Sequence, residues 1–334
     1  MIAWTLRRPS HRLTRLPVVT LMPHSRCNCR CVMCDIWKAN KTGTSLPESA
    51  VAQLVEDLKA FGVEEILLSG GEALMHPDLW ALCERLSALS AQITLLSSGL
   101  LLARYAPEIV RWCDGVIVSL DGPEPVHNAI RGISEAYAAL AEGVAALRQA
   151  APGFRVTARS VVQKDNFRVL TETVAAARAI GLDQISFLPA DLTSTAFNRP
   201  SPWERERSGA VGLTAEESAE LVQVIETLVE RHRADFRTRF IAESPAKMRK
   251  IAAHFRAAHG IVPPPKRACN APWVSTVVEA DGTVRPCFFH APLGKLGEAR
   301  FEAIVNGPQA LAFRQGLDVR RDPICRNCVC TLKR

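Results

Sequence analysis

Short apolar strands alternate with amphipathic helices through the first half of this 334-residue chain, and this alternation limits the fold more than any other feature. The helical stretches, among them 47–62, 76–90 and 135–150, repeat apolar residues at i, i+3 and i+4. The strand candidates are near-continuous apolar runs, typical of strands covered on both faces. They lie at 17–23, 64–70, 92–98, 115–121, 154–162 and 184–190. The pattern predicts an α/β fold with a parallel sheet and right-handed crossovers.

The number of these β/α units limits the closure of the sheet. Six units are fewer than the eight that close a full barrel. An open six-unit barrel and a doubly wound sheet therefore both fit the pattern.

The pattern changes after residue 190. The segment 191–209 is polar and predicts a loop, whereas 213–236 predicts a helix that begins with a capping box between Thr214 and Glu217. The segment 273–289 predicts a β-hairpin, because two apolar runs flank an Asp-Gly turn signal.

The chain is thus predicted to have four segments. They are a basic N-terminal tail (1–16), an α/β barrel region (17–190), a connection of loop and helix (191–265) and a smaller α+β extension that contains five cysteines (266–334). The net charge of +7 is spread along the chain except for a basic run at 7–15. We interpret this run as a solvated tail rather than a contact for an acidic partner, and we expect no specific nucleic-acid binding.

Eleven cysteines occur in a chain that we expect to be cytoplasmic. No segment has the roughly 18 consecutive apolar residues of a membrane span, and no apolar signal-peptide core precedes the first strand. Cytoplasmic thiols stay reduced, so a disulfide framework is not expected. Cys83 and Cys113 stand alone in apolar surroundings and are predicted to be core thiols.

The stretch CNCRCVMC, residues 27–34, contains four of the remaining cysteines. A structural zinc site usually uses two cysteine pairs separated by a longer loop, and these four are nearly contiguous. The spacing C-x3-C-x2-C of Cys27, Cys31 and Cys34 instead favours three thiolate ligands of an iron–sulfur cluster, with one iron left open. Cys29 is then a spectator. Because the stretch follows the first strand, the cluster is expected at the carboxyl ends of the sheet.

Two further motifs also directly follow predicted strands. Gly70, Gly71 and Glu72 follow the second strand, and the segment SLDGPEPVHNAIRG (119–132) follows the fourth. With the cysteines, these motifs resemble those of the radical S-adenosylmethionine (SAM) superfamily. The resemblance implies that Cys27, Cys31 and Cys34 hold a [4Fe-4S] cluster in a partial (β/α)6 barrel. It also implies reductive cleavage of SAM to a 5′-deoxyadenosyl radical, with an electron donor such as flavodoxin or ferredoxin.

The resemblance also implies a set of SAM contacts. The glycines would approach SAM through their backbone, and the Glu72 carboxylate would receive its amino group. The remaining implied contacts are Met33, Ser98, Ser119, Asp121, Arg159 and Leu188. Arg159 can equally form a structural ion pair, and Leu188 can equally belong to the core.

The C-terminal cysteines form a second group. Cys269, Gly282 and Cys287 follow the spacing C-x12-G-x4-C. With Cys325, Cys328 and Cys330 they resemble the SPASM/twitch extension of radical SAM enzymes, which implies one auxiliary [4Fe-4S] cluster bound by Cys269, Cys287 and two of the last three cysteines. Five thiols for four positions leave either one thiol spare or one corner of the cluster with a different ligand. A structural zinc site is the alternative for the same residues. The neighbouring Phe288, Phe289 and His290 are expected to pack as aromatics.

The substrate remains open between a small-molecule biosynthetic intermediate and a ribosomally made peptide. Only sixteen residues precede the first strand, which favours the small molecule because peptide-modifying relatives often have a recognition domain there. A non-catalytic iron–sulfur or zinc scaffold is a further alternative. Arg199, Trp203, Arg205 and Arg207 of the 191–209 loop are candidates to contact an anionic substrate, or are simply solvated.

Overall fold

The fold is built on one sheet of nine strands, seen in a computed structural model that describes residues 11–332. The strands are β1 (Val18–His24), β2 (Glu65–Gly70), β3 (Gln92–Ser97), β4 (Gly115–Ser119), β5 (Arg155–Val162), β6 (Gln184–Pro189), β7 (Ser275–Val278), β8 (Thr283–Arg285) and β9 (Gly294–Lys295). The first six are the six predicted from the sequence. They run parallel, and each pairs with its neighbour in the chain.

This consecutive strand order decides between the two predicted architectures. A doubly wound sheet reverses its strand order near the middle, whereas β1 to β6 proceed in one direction. The architecture is therefore the open barrel. Alternate strand residues such as Leu21, Ile66, Leu95 and Val116 are buried in the hydrophobic core.

The helices cover the sheet and connect its strands. They are α1 (Glu48–Leu58), α2 (Leu79–Ser87), α3 (Ala106–Trp112), α4 (Glu124–Arg131), α5 (Ala136–Ala150), α6 (Leu170–Ala179), α7 (Arg205–Val211), α8 (Ala215–Arg231), α9 (Arg233–Arg237), α10 (Pro245–Ala258), α11 (Ala271–Val274), α12 (Phe301–Asn306), α13 (Pro308–Gly316) and α14 (Pro323–Asn327). Short 310 helices lie at Ile36–Thr42, Lys59–Phe61, Ala73–Met75 and Phe167–Val169. The capping box predicted between Thr214 and Glu217 begins α8. Among the described residues, no helix combines the length and apolarity needed to cross a bilayer.

The predicted hairpin extends the barrel sheet. Strand β7 pairs in parallel with β1, from Val18 opposite Ser275 to Leu21 opposite Val278, and β8 returns antiparallel to β7. Gly282 takes a positive φ of +87° in the turn, as its position after Asp281 predicted. The sequence indicated the hairpin but not its partner, because pairing between strands about 250 residues apart depends on tertiary packing.

The N-terminal tail is only partly described, because residues 7–10 of its basic run lie outside the described range. From residue 11 onward it is not a solvated tail. Leu13 is buried, and its backbone N–H donates to Asn306 Oδ1 at 2.7 Å while its carbonyl accepts from Asn306 Nδ2 at 2.9 Å. Arg314, itself buried, donates from Nε to the carbonyl of His11 at 2.6 Å. This part of the tail thus packs against α12 and α13.

Candidate functional site

A cavity of about 230 Å³ opens at the carboxyl ends of the barrel strands, and we call it the mouth cavity. It brings together most of the site residues that the sequence suggested. Those lining it are Cys27, Cys31, Met33, Cys34, Gly70, Gly71, Ser98, Ser119, Arg159 and Leu188. They come from the loop after β1 and from the ends of β2 to β6. Parallel strands thus gather motifs that are far apart in the chain.

The loop that contains the four cysteines, residues 25–35, is fixed by backbone hydrogen bonds to the end of α4. The N–H of Arg30 donates to the carbonyl of Arg131 at 2.9 Å, and the N–H of Val32 donates to the carbonyl of Ile130 at 3.0 Å. At the start of the loop, the Asn40 side chain bonds both the N–H and the carbonyl of Cys27. The loop therefore has a defined shape before any metal enters it.

The three predicted cluster ligands have different thiol acidities. The pKa of Cys31 is lowered to about 6, because hydrogen bonding from Cys29 and the charge of Arg131 outweigh its burial. The pKa of Cys27 is also lowered, chiefly by the hydrogen bond from Cys29. Burial raises the pKa of Cys34 to about 12. Metals bind thiolates, so a cationic group beside three converging thiols fits an iron–sulfur cluster.

Cys29 is more than the spectator that the sequence suggested. Its side chain is buried and lines the mouth cavity, where its thiol hydrogen-bonds to both Cys27 and Cys31. Hydrogen bonding with Cys27 and Cys31 raises the pKa of Cys29 well above its usual value, because its single S–H proton can be donated to either neighbour when that neighbour is a thiolate. Its thiol therefore supports the anionic form of the other two.

The two glycines of the second motif are required by the cysteine loop. A Cβ on Gly71 would lie 2.0 Å from the carbonyl oxygen of Arg26, and Gly70 takes a positive φ of +111°. The N–H of Gly71 donates to the carbonyl of His24 at 3.1 Å, and the N–H of Glu72 donates to that of Arg26 at 2.8 Å. The backbone of these glycines thus closely approaches the cysteine loop, whereas the sequence predicted a close approach to a ligand.

Glu72 does not present a free carboxylate to the mouth cavity. It is fully buried, and burial raises its pKa. Oε2 accepts from the N–H of Ser98 at 2.7 Å, and Oε1 accepts from the hydroxyl of Ser97 at 3.0 Å. In this geometry the carboxylate fastens the end of β3 to the loop after β2. The sequence could not show that the Glu72 carboxylate points toward β3, because this orientation depends on the neighbouring strand.

Asp121 also lies behind the cavity wall. It is buried, forms an ion pair with Arg131, and accepts from the N–H of Val161 at 2.9 Å. The SAM ribose or substrate contact suggested for it is therefore replaced here by internal partners. Arg131 was not a sequence candidate, although it lies inside the quoted segment 119–132 and lines the cavity.

The arginines of the 191–209 loop face the protein rather than a substrate. Arg199 is buried, pairs with Asp191 at 2.8 Å, and stacks on Trp203 with its Cζ 3.7 Å from the ring centroid. Arg207 donates to the carbonyl of Val32 at 2.6 Å. Trp203 donates from Nε1 to Asp35 at 2.8 Å. The suggested anion-binding role is therefore wrong for Arg199, Trp203 and Arg207, because these side chains hold the cysteine loop in place. Of the three arginines suggested from this segment, Arg205 alone is exposed.

The five C-terminal thiols form a second group. Burial raises the pKa of Cys325 to about 12, together with the nearby Asp322 and, to a smaller extent, Cys287 and Cys269. Burial also raises the pKa of Cys328, with smaller contributions from Cys330, Cys287 and Cys269. Each of the other four thiols interacts with Cys269, and together the five are a donor set suited to a cluster or to zinc.

The second thiol group borders the mouth cavity. Cys287 and Cys328 pack with Phe289 and Val329, and Val329 lines the mouth cavity. The C-terminal segment therefore forms part of the wall of the mouth cavity.

His290 lies beside one of the C-terminal thiols, in addition to the aromatic packing that the sequence suggested. Its ring packs against Phe313, as expected of an aromatic, with centroids 4.9 Å apart. Its Nε2 also lies 3.3 Å from Cys325 Sγ and 3.8 Å from Asp322 Oδ1, and the side chain is buried. No spacing rule in the sequence pointed to this contact.

Comparisons with known proteins agree with this geometry. The family model of the radical SAM superfamily matches residues 21–185, and that of the SPASM iron–sulfur cluster-binding domain matches 269–329. A pre-heme d1 synthase of Dinoroseobacter shibae is 30% identical over 52% of this chain and 43% of its own length. An Fe-coproporphyrin III synthase of Methanosarcina barkeri is 30% identical over 48% and 41%. The chain thus spans less than half the length of these two relatives.

A solved structure resembles the fold over nearly the whole chain. Streptococcus suis SuiB bound to S-adenosylmethionine superposes with a TM-score of 0.65 at 12% identity, over 96% of this chain and 73% of that one. The same protein has been solved bound to the precursor peptide SuiA. At this identity the likeness concerns the fold.

Proposed function

This chain belongs to the radical SAM superfamily and has a C-terminal SPASM iron–sulfur extension, and we propose that it abstracts hydrogen from a small-molecule biosynthetic intermediate. Its cofactors are SAM and [4Fe-4S] clusters. We infer that Cys27, Cys31 and Cys34 hold the cluster that binds SAM. When bound, cluster and SAM together supply reductive cleavage to a 5′-deoxyadenosyl radical. One observation supports this assignment above all: the three thiols share one cavity with the ends of five strands.

The protein's own residues position the reactants and exclude water. Arg131 and Cys29 stabilise the thiolate form of Cys31. Arg207 fixes the cysteine loop through its hydrogen bond to the carbonyl of Val32. Gly70, Gly71 and Ser98 form the cavity wall where SAM would lie. A cavity wall that is mostly apolar limits the side reactions of a reactive radical.

The C-terminal thiols would hold an auxiliary cluster, which would accept one electron when the substrate radical also loses a proton. The overall reaction would then be an oxidation or dehydrogenation, whereas a rearrangement would leave the oxidation state of the auxiliary cluster unchanged. We propose a cytoplasmic setting with flavodoxin or ferredoxin as the reductant of the SAM-binding cluster.

The choice of a small molecule is supported by the names of the two relatives, which are synthases of tetrapyrroles. A peptide substrate is the second candidate, because a protein of the same fold has been solved with a precursor peptide. A non-catalytic scaffold is the third, and the C-terminal thiols would then bind zinc.

Cleavage of SAM tests the proposed function directly. Anaerobically reconstituted protein, reduced with dithionite and given SAM, is expected to produce 5′-deoxyadenosine and to contain about eight iron atoms per chain. Cys34→Ala should abolish the product, whereas Cys83→Ala, a buried thiol outside the cavity, should retain it. If the wild-type protein forms no 5′-deoxyadenosine with its first cluster intact, the enzyme proposal is wrong. About four iron atoms with zinc would favour a zinc-containing extension.

A further inference from the structure

A second cavity lies beside the mouth cavity, and we call it the basic cavity. It measures about 240 Å³, several times the ~30 Å³ that one water occupies in the liquid, so it has room for a charged substituent. It lies between the end of β6, the helix α10 and the chain at 266–268 and 329–331. The two cavities share Arg159, Leu188, Pro189 and Val329 in their walls. The two cavities are therefore adjacent.

The walls of the basic cavity hold a surplus of positive charge. The cations are Arg159, Lys247, Lys250, Lys266 and Arg267. Among the described residues, the acidic groups in the wall are the carboxylate of Glu243 and the thiol of Cys330. Glu243 is already engaged, since it accepts from the N–H of Phe187 at 2.8 Å and pairs with Lys247 at 3.3 Å. A cavity lined by several cations and one satisfied carboxylate attracts anions.

Several of these cations keep unused donors. Within residues 11–332, Lys250 and Lys266 take part in no ion pair. Arg267 donates to His254 Nδ1 at 3.1 Å, yet its buried Nε has no hydrogen-bond partner among the described residues. The Nε atom has almost no accessible surface, so a ligand in the cavity does not reach it. The donors open to an anion are the ammonium groups of Lys250 and Lys266, which are exposed and form no ion pair within residues 11–332.

We propose that the basic cavity is the anion subsite of the substrate: it binds a carboxylate or phosphate group while the reacting carbon reaches past Arg159 into the mouth cavity. This inference rests on the proposed function and narrows its substrate to an anionic small molecule. Binding energy from a remote charged group positions the reacting atom for hydrogen abstraction. The arginines of the 191–209 loop cannot serve this purpose, because Arg199 and Arg207 are engaged with the cysteine loop.

The test uses the reconstituted holoenzyme with SAM bound, under anaerobic conditions. Inorganic pyrophosphate and citrate are titrated calorimetrically, as probes of phosphate and carboxylate chemistry respectively. Lys250→Gln combined with Lys266→Gln should weaken binding of the preferred probe about tenfold or more, since each lost charge removes a charge-assisted hydrogen bond. Arg104→Gln combined with Arg111→Gln removes two exposed cations outside the cavity and should leave the affinity unchanged.

Three outcomes would overturn the proposal. The first is that neither probe binds the wild-type holoenzyme, and the second is that the two double variants bind equally well. The third is that the Lys250/Lys266 variant keeps its affinity and instead shifts the auxiliary-cluster potential or slows reduction by flavodoxin. The cations would then compensate the charge of the cluster or dock an acidic electron donor.

Failure of the subsite is distinguishable from failure of the enzyme proposal. Formation of 5′-deoxyadenosine from SAM and dithionite requires no substrate anion, so the Lys250/Lys266 variant should retain it. Wild-type protein that produces 5′-deoxyadenosine but binds neither probe contradicts the subsite alone. Wild-type protein that binds a probe but never cleaves SAM contradicts the proposed function.

Discussion

The guanidinium group of Arg131 donates from Nη1 to Cys31 Sγ over 3.5 Å, while its Nη2 pairs with the buried carboxylate of Asp121. Arg131 and Cys31 lie 100 residues apart in the chain. Through this arginine, the end of β4 and the end of α4 both act on the cysteine loop. The contact places a permanent positive charge next to one of the proposed ligands of the SAM-binding cluster.

Arg131→Gln is therefore expected to lower the reduction potential of that cluster, because a nearby positive charge and a hydrogen bond to sulfur both favour the reduced state. It should also destabilise the protein by about 3–5 kcal/mol, since Asp121 would be left as a buried, unpaired charge. Redox titration followed by electron paramagnetic resonance measures the first effect, and urea unfolding measures the second.

The double variant Asp121→Asn with Arg131→Gln separates these two effects. It removes the unpaired charge, so stability should recover in part while the potential stays low. An unchanged potential in both variants would show that Arg131 acts only on the fold.

Glu72→Gln distinguishes an internal brace from a direct SAM ligand. An amide offers one acceptor where Glu72 offers two, and its NH2 group would meet the donors of Ser97 and Ser98. We expect a loss of about 1–3 kcal/mol of stability without SAM present, measured by urea unfolding. Exposed Glu56→Gln is the matched control. If stability is unchanged while SAM affinity falls, the carboxylate contacts SAM itself.

Cys29→Ala tests the supporting thiol. Because the S–H of Cys29 can donate to either Cys27 or Cys31, its removal should raise their pKa values and speed the loss of iron to a chelator, while SAM cleavage continues. Iron release is followed by absorbance after addition of the chelator, with Cys113→Ala as the control. A Cys29→Ala protein with no first cluster would make Cys29 a ligand.

His290→Phe tests the auxiliary site. The ring contact with Phe313 is preserved, but the Nε2 contact with Cys325 is lost. If the proton of His290 lies on Nε2, the loss of a hydrogen bond to sulfur should lower the auxiliary-cluster potential with iron content unchanged. The SAM-binding cluster in the same sample is the internal control. Loss of about four iron atoms would instead show that His290 is needed to hold the cluster.

The sequence by itself determined the parallel α/β sheet and the edge of the sheet at which its site lies. Apolar periodicity predicted the six parallel strands, and strand ends of one polarity meet at one edge, so Cys27, Gly70 and Ser119 had to lie near each other. The spacing of the cysteines indicated the kind of cofactor, because ligand spacing is a local property of the chain.

Only the tertiary structure decided where the charged side chains point. Glu72 turns to β3, Asp121 pairs with Arg131, and Arg199 and Arg207 donate hydrogen bonds to the cysteine loop. The pairing of β7 with β1 and the basic cavity beside the mouth likewise join segments far apart in the chain. A buried charge takes whichever partner the fold brings to it, since leaving it unpaired is costly, and that partner has no fixed spacing in the sequence.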